Sequence, residues 1–164
     1  MMALDLIRAL AEDAPIGIVV TDATIDSPGP IIRYANPAFA CLVGRSLKEI
    51  LGQSPRFMQG QETREETLAT FKRALATGER FHGYLTNYRG DGTKYRAEID
   101  CRPLHSSEGR IEHFVSFERE VIRRVGRPAP GTAGRYQSAG TGGAPLTSAL
   151  RALSLFEEAY VEGP

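Results

Sequence analysis

The residues that most often carry chemistry in proteins are sparse in this chain and do not cluster. Its two cysteines, Cys41 and Cys101, stand far apart and form neither a metal-ligand pattern nor a disulfide framework. Its three histidines, His82, His105 and His113, fall on predicted strands or at a turn. The sequence shows no nucleophile–base pair, no phosphate-binding glycine loop and no metal-ligand cluster. We therefore predict that the chain is not an enzyme and holds no metal.

Charge and hydropathy argue against two kinds of partner. The 20 basic and 20 acidic residues give a net charge of zero, so no overall field favours nucleic acid or an anionic membrane. No apolar run approaches the roughly 20 residues of a membrane-spanning helix. Residues 1–14 lack the basic and apolar regions of a signal peptide. Because no disulfide is expected either, we predict a cytoplasmic protein that binds neither nucleic acid nor membrane.

The hydrophobic patterns predict one α+β domain over residues 14–121. Two early strands, at 16–21 and 31–34, precede a helical middle that ends in a helix over 62–77. Three further strands follow, joined by glycine-containing turns, at 81–88, 94–104 and 111–121. This order is typical of a five-stranded antiparallel sheet with helices packed on one face.

Flanking segments are predicted on both sides of the domain. Residues 1–13 carry an apolar stripe with helical spacing, which predicts a short N-terminal helix. Residues 122–145 are rich in glycine and proline, which predicts a flexible linker. Residues 146–164 carry apolar side chains on one helical face and predict a C-terminal amphipathic helix. That helix has too few turns to be stable alone, so we expect it to dock on its own domain or on a second copy.

A nine-residue segment identifies a family. Residues 52–60, GQSPRFMQG, resemble the signature of light-oxygen-voltage (LOV) domains, in which a glycine and two variable residues precede a cysteine and then Arg-Phe-Leu-Gln-Gly. Other segments similar to the family follow in the same order and spacing, with the sequences VVTD, YANPAF, EILG, ET, LTNY and DGT. The domain therefore resembles the LOV subfamily of PAS domains, and the resemblance implies a PAS fold.

The resemblance also implies a pocket for FMN. Arg56 matches the family's phosphate-binding arginine, and a guanidinium can fork onto two phosphate oxygens. Lys72 stands where a second arginine often lies. Gln59 and Asn87 match amides that hydrogen-bond the ribityl chain and the ring edge, which suits a group that offers both a donor and an acceptor. Small and apolar lining positions complete the implied site: Thr21, Met58, Leu68, Leu75 and Ile99.

Three positions depart from the family pattern. Pro55 occupies the place of the cysteine that bonds to the flavin after blue light, so this adduct is excluded there. Ala97 stands where a second asparagine is usual, which removes one polar partner of the ring. Glu118 replaces a glutamine, and a glutamate that faces a buried neutral ring would be driven toward its protonated form. A solvated Glu118 paired with Arg119 or Arg123 is the alternative.

Two functions stay open at this stage. The first is a LOV-like sensory domain that holds FMN non-covalently, cannot form the cysteinyl adduct, and responds by flavin photoreduction or redox change. Glu118 would then be a proton source. The electron donors would be tyrosines, since there is no tryptophan: Tyr34, Tyr84, Tyr88 and Tyr95. The second is a PAS interaction or dimerisation module that has lost its flavin, which the joint presence of Pro55, Ala97 and Glu118 favours.

The outer face of the sheet is the predicted route to a partner. Strand alternation places Tyr84, Tyr88, Val115 and Phe117 on that face, and four large apolar groups indicate that something covers it. The resemblance implies a homodimer through this face and the terminal helices, together with a signalling partner that the sequence does not identify. A helix of the same chain that caps the face is equally consistent.

Overall fold

The antiparallel sheet positions most of the candidate residues. The computed structural model describes residues 2–126 and 135–139. The main strands are β1 (Gly17–Asp22), β2 (Ile32–Ala35), β3 (Phe81–Tyr88), β4 (Lys94–His105) and β5 (Ile111–Arg123). They lie side by side in the order β2-β1-β5-β4-β3, so the first hairpin pairs with the last strand of the domain. This arrangement confirms the predicted α+β architecture.

Local capping contacts mark several of the helix ends. They are α1 (Met2–Ala11), α2 (Pro37–Val43), α3 (Leu47–Ile50) and α4 (Glu65–Thr77), with a 3₁₀ helix at Pro55–Met58. Asn36 caps α2 by accepting a hydrogen bond from the Phe39 amide at 2.9 Å. Gly78 ends α4 in the left-handed region, with φ of 70°, a conformation that glycine adopts without strain. None of the described helices is long and apolar enough to cross a membrane.

The helix α4 starts three residues later than the sequence predicts. The hydroxyl of Thr63 accepts a hydrogen bond from the Gly60 amide at 2.9 Å and donates one to the Thr86 carbonyl at 2.6 Å. These two bonds hold the chain around Thr63 in a turn against β3. Residues 62–64 are therefore not helical, although their sequence is compatible with a helix.

A buried amide ties α1 to the sheet. Asn36 is fully buried and donates from Nδ2 to the carbonyls of Ala11 and Ile16, at 2.9 Å each. Its Oδ1 also accepts from the Ile18 amide at 2.8 Å. Because these contacts satisfy the whole side chain, the end of the predicted N-terminal helix is fixed beside β1.

Two apolar clusters form the core of the compact unit that spans Met1–Glu120. One packs α4 against β3, β4 and β5 through Leu75, Phe81, Leu85, Ile99 and Phe114. The other packs β1 and β2 against the short helices through Val19, Ile32, Phe39, Val43, Ile50 and Met58. Members of both clusters border the cavity described below.

A second unit begins at Val121 and contains a strand that the sequence did not predict. In this unit β6 (Tyr136–Ser138) pairs antiparallel with the end of β5, with Val121 opposite Ser138 and Arg123 opposite Tyr136. The strand lies inside the predicted linker over 122–145, and β5 runs two residues past its predicted end. This strand forms through backbone pairing with the end of β5, which the glycine- and proline-rich composition of the segment does not indicate. The predicted helix over 146–164 lies outside the described residues.

Candidate functional site

A cavity of about 230 Å³ lies between the inner face of the sheet and the helices. Strands β1, β3, β4 and β5 form one wall, and α4 with the 3₁₀ helix forms the other. The structure brings Pro55 and all ten predicted cofactor-binding residues to the lining of this cavity: Thr21, Arg56, Met58, Gln59, Leu68, Lys72, Leu75, Asn87, Ile99 and Glu118. Their role as a binding set stays a prediction. Ala97 is fully buried beside the cavity but is not part of its lining.

Two polar side chains on the sheet wall are buried and have few strong hydrogen-bond partners. Asn87 is 2% exposed, and its Nδ2 lies 4.0 Å from the thioether sulfur of Met58, a weak acceptor. The hydroxyl of Tyr95 is its other polar neighbour. Glu118 is 4% exposed, and its Oε2 has no hydrogen-bond partner among the described residues. Buried polar groups are nearly always paired, so this wall is suited to a ligand with polar groups along one edge.

Burial controls the charge of Glu118. It raises the pKa of this carboxyl to about 8. Arg119, which the sequence offered as an ion-pair partner, lies on the opposite face of β5 and contacts Glu98 at 3.4 Å. Glu118 is therefore mostly protonated at neutral pH, and its hydroxyl is a hydrogen-bond donor on the cavity wall.

The two cations of the cavity wall contact the loop between β1 and β2. Arg56 donates from Nε to the Gly29 carbonyl at 3.0 Å and from Nη2 to the Ile25 carbonyl at 3.1 Å. Lys72 Nζ lies 3.9 Å from Asp26 Oδ1, in an ion pair exposed on both sides. The structure thus brings the predicted phosphate-binding cations to one region and shows that a loop already engages them.

Pro55 has a structural role at the start of the 3₁₀ helix. It occupies the first position of the 3₁₀ helix, and the Ser54 hydroxyl caps that helix by accepting from the Arg56 amide at 3.4 Å. Pro55 itself lines the cavity and offers no nucleophile to a molecule inside it.

Cys101 brings the chain's second thiol to the cavity wall, whereas Cys41 is exposed on α2. Burial raises the pKa of the Cys101 thiol to about 12, so the thiol is protonated at neutral pH. Ser116 is its hydrogen-bonding neighbour. A protonated, buried thiol is a poor nucleophile, which agrees with a packing role. Across the described ranges, no three His, Cys, Asp or Glu side chains come together as a metal site requires.

Several lining residues were not singled out from the sequence. Ser116 lies two positions before Glu118, so strand alternation already places both on the same face. Phe71 lies between Leu68 and Leu75 on the apolar stripe of α4. Loop residues have no such periodicity, so no pattern could have found Ile25 and Pro30.

The outer face of the sheet buries acids that are paired. Asp100 is fully buried between Arg80, at 2.6 Å, and Arg102, at 3.0 Å. Burial alone would raise the pKa of Asp100, but the hydrogen bonds and charges of these two arginines lower it. Burial likewise opposes the ionisation of Glu98, while His82 and Arg119 lower its pKa.

The apolar residues predicted for this outer face differ in their surroundings. Val115 and Phe117 are buried, which agrees with the expectation that the face is covered. Tyr88 contacts the turn before α4 instead: its hydroxyl accepts a hydrogen bond from the Glu62 amide at 3.1 Å, and its ring lies against Gly60. Tyr88 therefore braces the turn before α4.

Comparisons with known proteins agree with this architecture. The family model described as "PAS domain" matches residues 15–121. The bacterioopsin transcriptional activator of Halobacterium salinarum is 37% identical over 114 residues, which are 70% of this chain and 17% of that protein. The blue-light-activated histidine kinase of Brucella ovis is 31% identical over 126 residues, 76% of this chain and 25% of that protein. The chain thus spans a quarter or less of the length of these relatives.

The similarity to one solved structure covers most of a single domain. The light-state structure of the LOV domain of the blue-light photoreceptor Aureochrome1 superposes with a TM-score of 0.62 and 34% identity. The match covers 71% of this chain and 89% of that one. It confirms the predicted PAS fold.

Proposed function

The chain belongs to the PAS domain family as a LOV-type sensory signalling domain, and from that premise we propose that its cavity binds FMN non-covalently and forms no cysteinyl adduct. The observation that carries the proposal is the sheet wall of the cavity. Glu118 is buried there with no partner for its Oε2 among the described residues, and Asn87 is buried with a weak thioether acceptor and the Tyr95 hydroxyl as its polar neighbours. A planar ligand with a polar edge would satisfy both groups.

Each part of the cavity has a role in this proposal. Arg56 and Lys72 would hold the phosphate, because they are the cations on the cavity wall. Gln59, which is exposed at the cavity border, would contact the ribityl chain, and Asn87 with Glu118 would contact the ring edge. The apolar walls would enclose the ring and exclude water from it.

The side chains of the cavity wall would determine how a bound flavin responds to light. A bound flavin supplies absorption of blue light and the ability to accept electrons. Pro55 offers no nucleophile, and the Cys101 thiol is held protonated by burial. Glu118 keeps a proton on its carboxyl at neutral pH and is the candidate proton donor. We therefore propose a response by photoreduction or redox change. Tyr95, whose hydroxyl lies 3.7 Å from the sulfur of Met58, is the tyrosine best placed to donate an electron.

The visible spectrum of the purified protein tests this proposal. We expect a yellow protein with structured blue absorption, or one that gains it on titration with FMN. A colourless protein that takes up no FMN would overturn the proposal. Illumination with a reductant should then diminish the blue absorption, and an unchanged spectrum would contradict photoreduction.

A matched pair of variants on β3 assigns the binding to the cavity. Asn87→Ala removes the polar group from the wall and should weaken FMN binding about tenfold, the effect expected for one lost buried hydrogen bond. Thr86→Ala changes the neighbouring residue on the opposite face, where the Thr86 hydroxyl accepts from Arg96, and should leave the affinity unchanged. Equal affinities for the two variants would place the flavin elsewhere.

A PAS interaction module without flavin is the second candidate, and specific observations favour it. The cavity of about 230 Å³ is below the roughly 300–1,000 Å³ of small-molecule clefts. Ala97, which is fully buried, adds no polar group to the inner face of the sheet. For this function we propose homodimerisation through the outer sheet face and the terminal helices, or contact with a signalling partner. Analytical ultracentrifugation tests it, since a monomer at every concentration would exclude the dimer.

A further inference from the structure

The loop between β1 and β2 fixes the orientation of Arg56. We infer that two carbonyls of this loop, at Ile25 and Gly29, orient the Arg56 guanidinium toward the phosphate of a bound flavin, an arrangement that we call the bracket. Through the bracket, the loop determines how strongly the cavity prefers a flavin with a phosphate over one without it. This inference rests on the proposed function. It assigns a positioning role to a loop that neither the motif nor the strand pattern identifies.

The hydrogen bonds of Arg56 leave one edge of the guanidinium available. Nε and Nη2 donate to the two carbonyls at 3.0 and 3.1 Å and so use the edge that these two nitrogens share. The second edge, between Nη1 and Nη2, keeps two N–H donors with the spacing that fits two phosphate oxygens. A guanidinium is rigid and planar, so fixing one edge also fixes the direction of the other.

The loop is itself held in one conformation at its base. The carboxylate of Asp22 accepts from the Ile31 amide at 3.0 Å and from the Thr24 amide at 3.2 Å, and it pairs with Arg33 at 2.9 Å. Burial opposes the ionisation of Asp22, but these hydrogen bonds lower its pKa. The two ends of the loop are therefore joined by a charged group at neutral pH.

Gly29 is fixed in the same loop by close packing. Its amide donates to the Asp26 carbonyl at 2.8 Å. A Cβ at this position would lie 2.5 Å from the Thr24 carbonyl oxygen and 2.9 Å from the Thr24 Cβ, which is too close for any side chain. The position of the Gly29 carbonyl, and with it the direction of Arg56, therefore depends on the absence of a side chain.

The same loop also contributes to the cavity wall, through Ile25 and Pro30. It thus contacts the interior of the cavity and orients the cation at one end of it. A ligand with the same ring but no phosphate would use only the first of these contacts. Comparison of FMN with riboflavin, which lacks the phosphate, therefore separates the two effects.

A double-mutant cycle tests the bracket. The affinities of FMN and riboflavin are measured for the full chain and for its Gly29→Ala, Arg56→Ala and doubly substituted variants. We expect Gly29→Ala to lower the preference for FMN over riboflavin about fivefold when Arg56 is present. In the Arg56→Ala background the same change should alter that preference by less than about twofold, because the group that the loop orients is gone.

Arg56→Lys separates orientation from charge. Lysine keeps the positive charge but cannot hold two carbonyls and a phosphate in one plane. We expect this variant to lose most of the preference for FMN and to show faster hydrogen exchange at the amides of Gly29 and Ile31. A Lys variant with the full preference would overturn the bracket, as would a Gly29→Ala effect of equal size in both Arg56 backgrounds. If riboflavin and FMN both fail to bind the unaltered chain, the proposed function itself is wrong and the bracket falls with it.

Discussion

The buried acids on the two faces of the sheet have pKa values that are shifted in opposite directions. On the outer face, Asp100 lies between two arginines and Glu98 contacts Arg119 and His82, and the pKa of each acid is lowered. On the inner face, Glu118 is as deeply buried, but its Oε2 lacks a partner in the described part of the chain and its pKa is raised to about 8. The acids are similarly buried but differ in whether a cationic side chain pairs with them, and this pairing determines whether each acid is charged.

This difference separates structural groups from available ones. A buried acid whose oxygens are all used by arginines stabilises the fold and has no capacity left for a ligand. A buried acid that keeps an unused oxygen next to a cavity destabilises the fold until it is protonated or bound. Glu118 is therefore the acid on the sheet that we connect with function.

The largest expected effect is on the outer face. Asp100→Ala removes a fully buried carboxylate that accepts hydrogen bonds from both Arg80 and Arg102, and we expect it to lower the free energy of unfolding by about 3 kcal/mol. Urea denaturation measures this change. Glu112→Ala, at an exposed position of β5, is the control and should change stability by less than about 0.5 kcal/mol. A loss below about 1 kcal/mol for Asp100→Ala would mean that the paired acid is not structural.

A pH dependence should come from the inner face. Folding raises the pKa of Glu118 from 4.5 to about 8, so the folded state binds the proton more tightly and unfolding releases it between these values. The free energy of unfolding therefore falls as pH rises through this window, by roughly 2 kcal/mol from this group between pH 6 and 8. In Glu118→Gln, which stays neutral at every pH, this fall should be absent.

Denaturation of both proteins at several pH values measures this effect, with Glu112→Gln, at an exposed position of β5, as a control that should keep the slope of the unaltered chain. Equal slopes for the unaltered chain and Glu118→Gln would show that Glu118 does not hold a proton in the folded state.

A substitution of Glu98 on the outer face should affect stability slightly and FMN binding not at all. Glu98→Gln removes the charge that Arg119 contacts at 3.4 Å, and we expect a loss of about 1 kcal/mol in the free energy of unfolding. The same variant should bind FMN as the unaltered chain does, because Glu98 is on the face away from the cavity. A weaker FMN affinity in Glu98→Gln would mean that the two faces are not independent.

Regular periodicity made much of the site predictable. Alternation along β5 places Glu118 on the inner face and Arg119 on the outer one, whatever the rest of the chain does. Helical spacing likewise brings Leu68, Lys72 and Leu75 of α4 to one side. The matched motif supplied the remaining positions, including Arg56 and Asn87, and all of them line one cavity.

Contacts between distant segments could not be predicted in this way. The partners of Arg56 depend on the conformation of a loop about thirty positions earlier in the chain. The pairing of Asp100 with Arg80 joins the residue before β3 to β4. The contact of the Tyr88 ring with Gly60 and the pairing of the short strand β6 also depend on long-range contacts, which local sequence patterns do not report.

The light response of the FMN-loaded Pro55→Cys variant, recorded beside that of the unaltered chain, tests whether Pro55 alone prevents the adduct. We expect blue light to abolish the structured blue absorption of the variant and the absorption to return in the dark, because a thiol then lies on the cavity wall. Without oxygen, the unaltered chain should show no loss that reverses in the dark, because a photoreduced flavin needs an oxidant to recover whereas an adduct does not. An unresponsive variant that still binds FMN, or a loss in the unaltered chain that reverses without oxygen, would contradict the proposed role of Pro55.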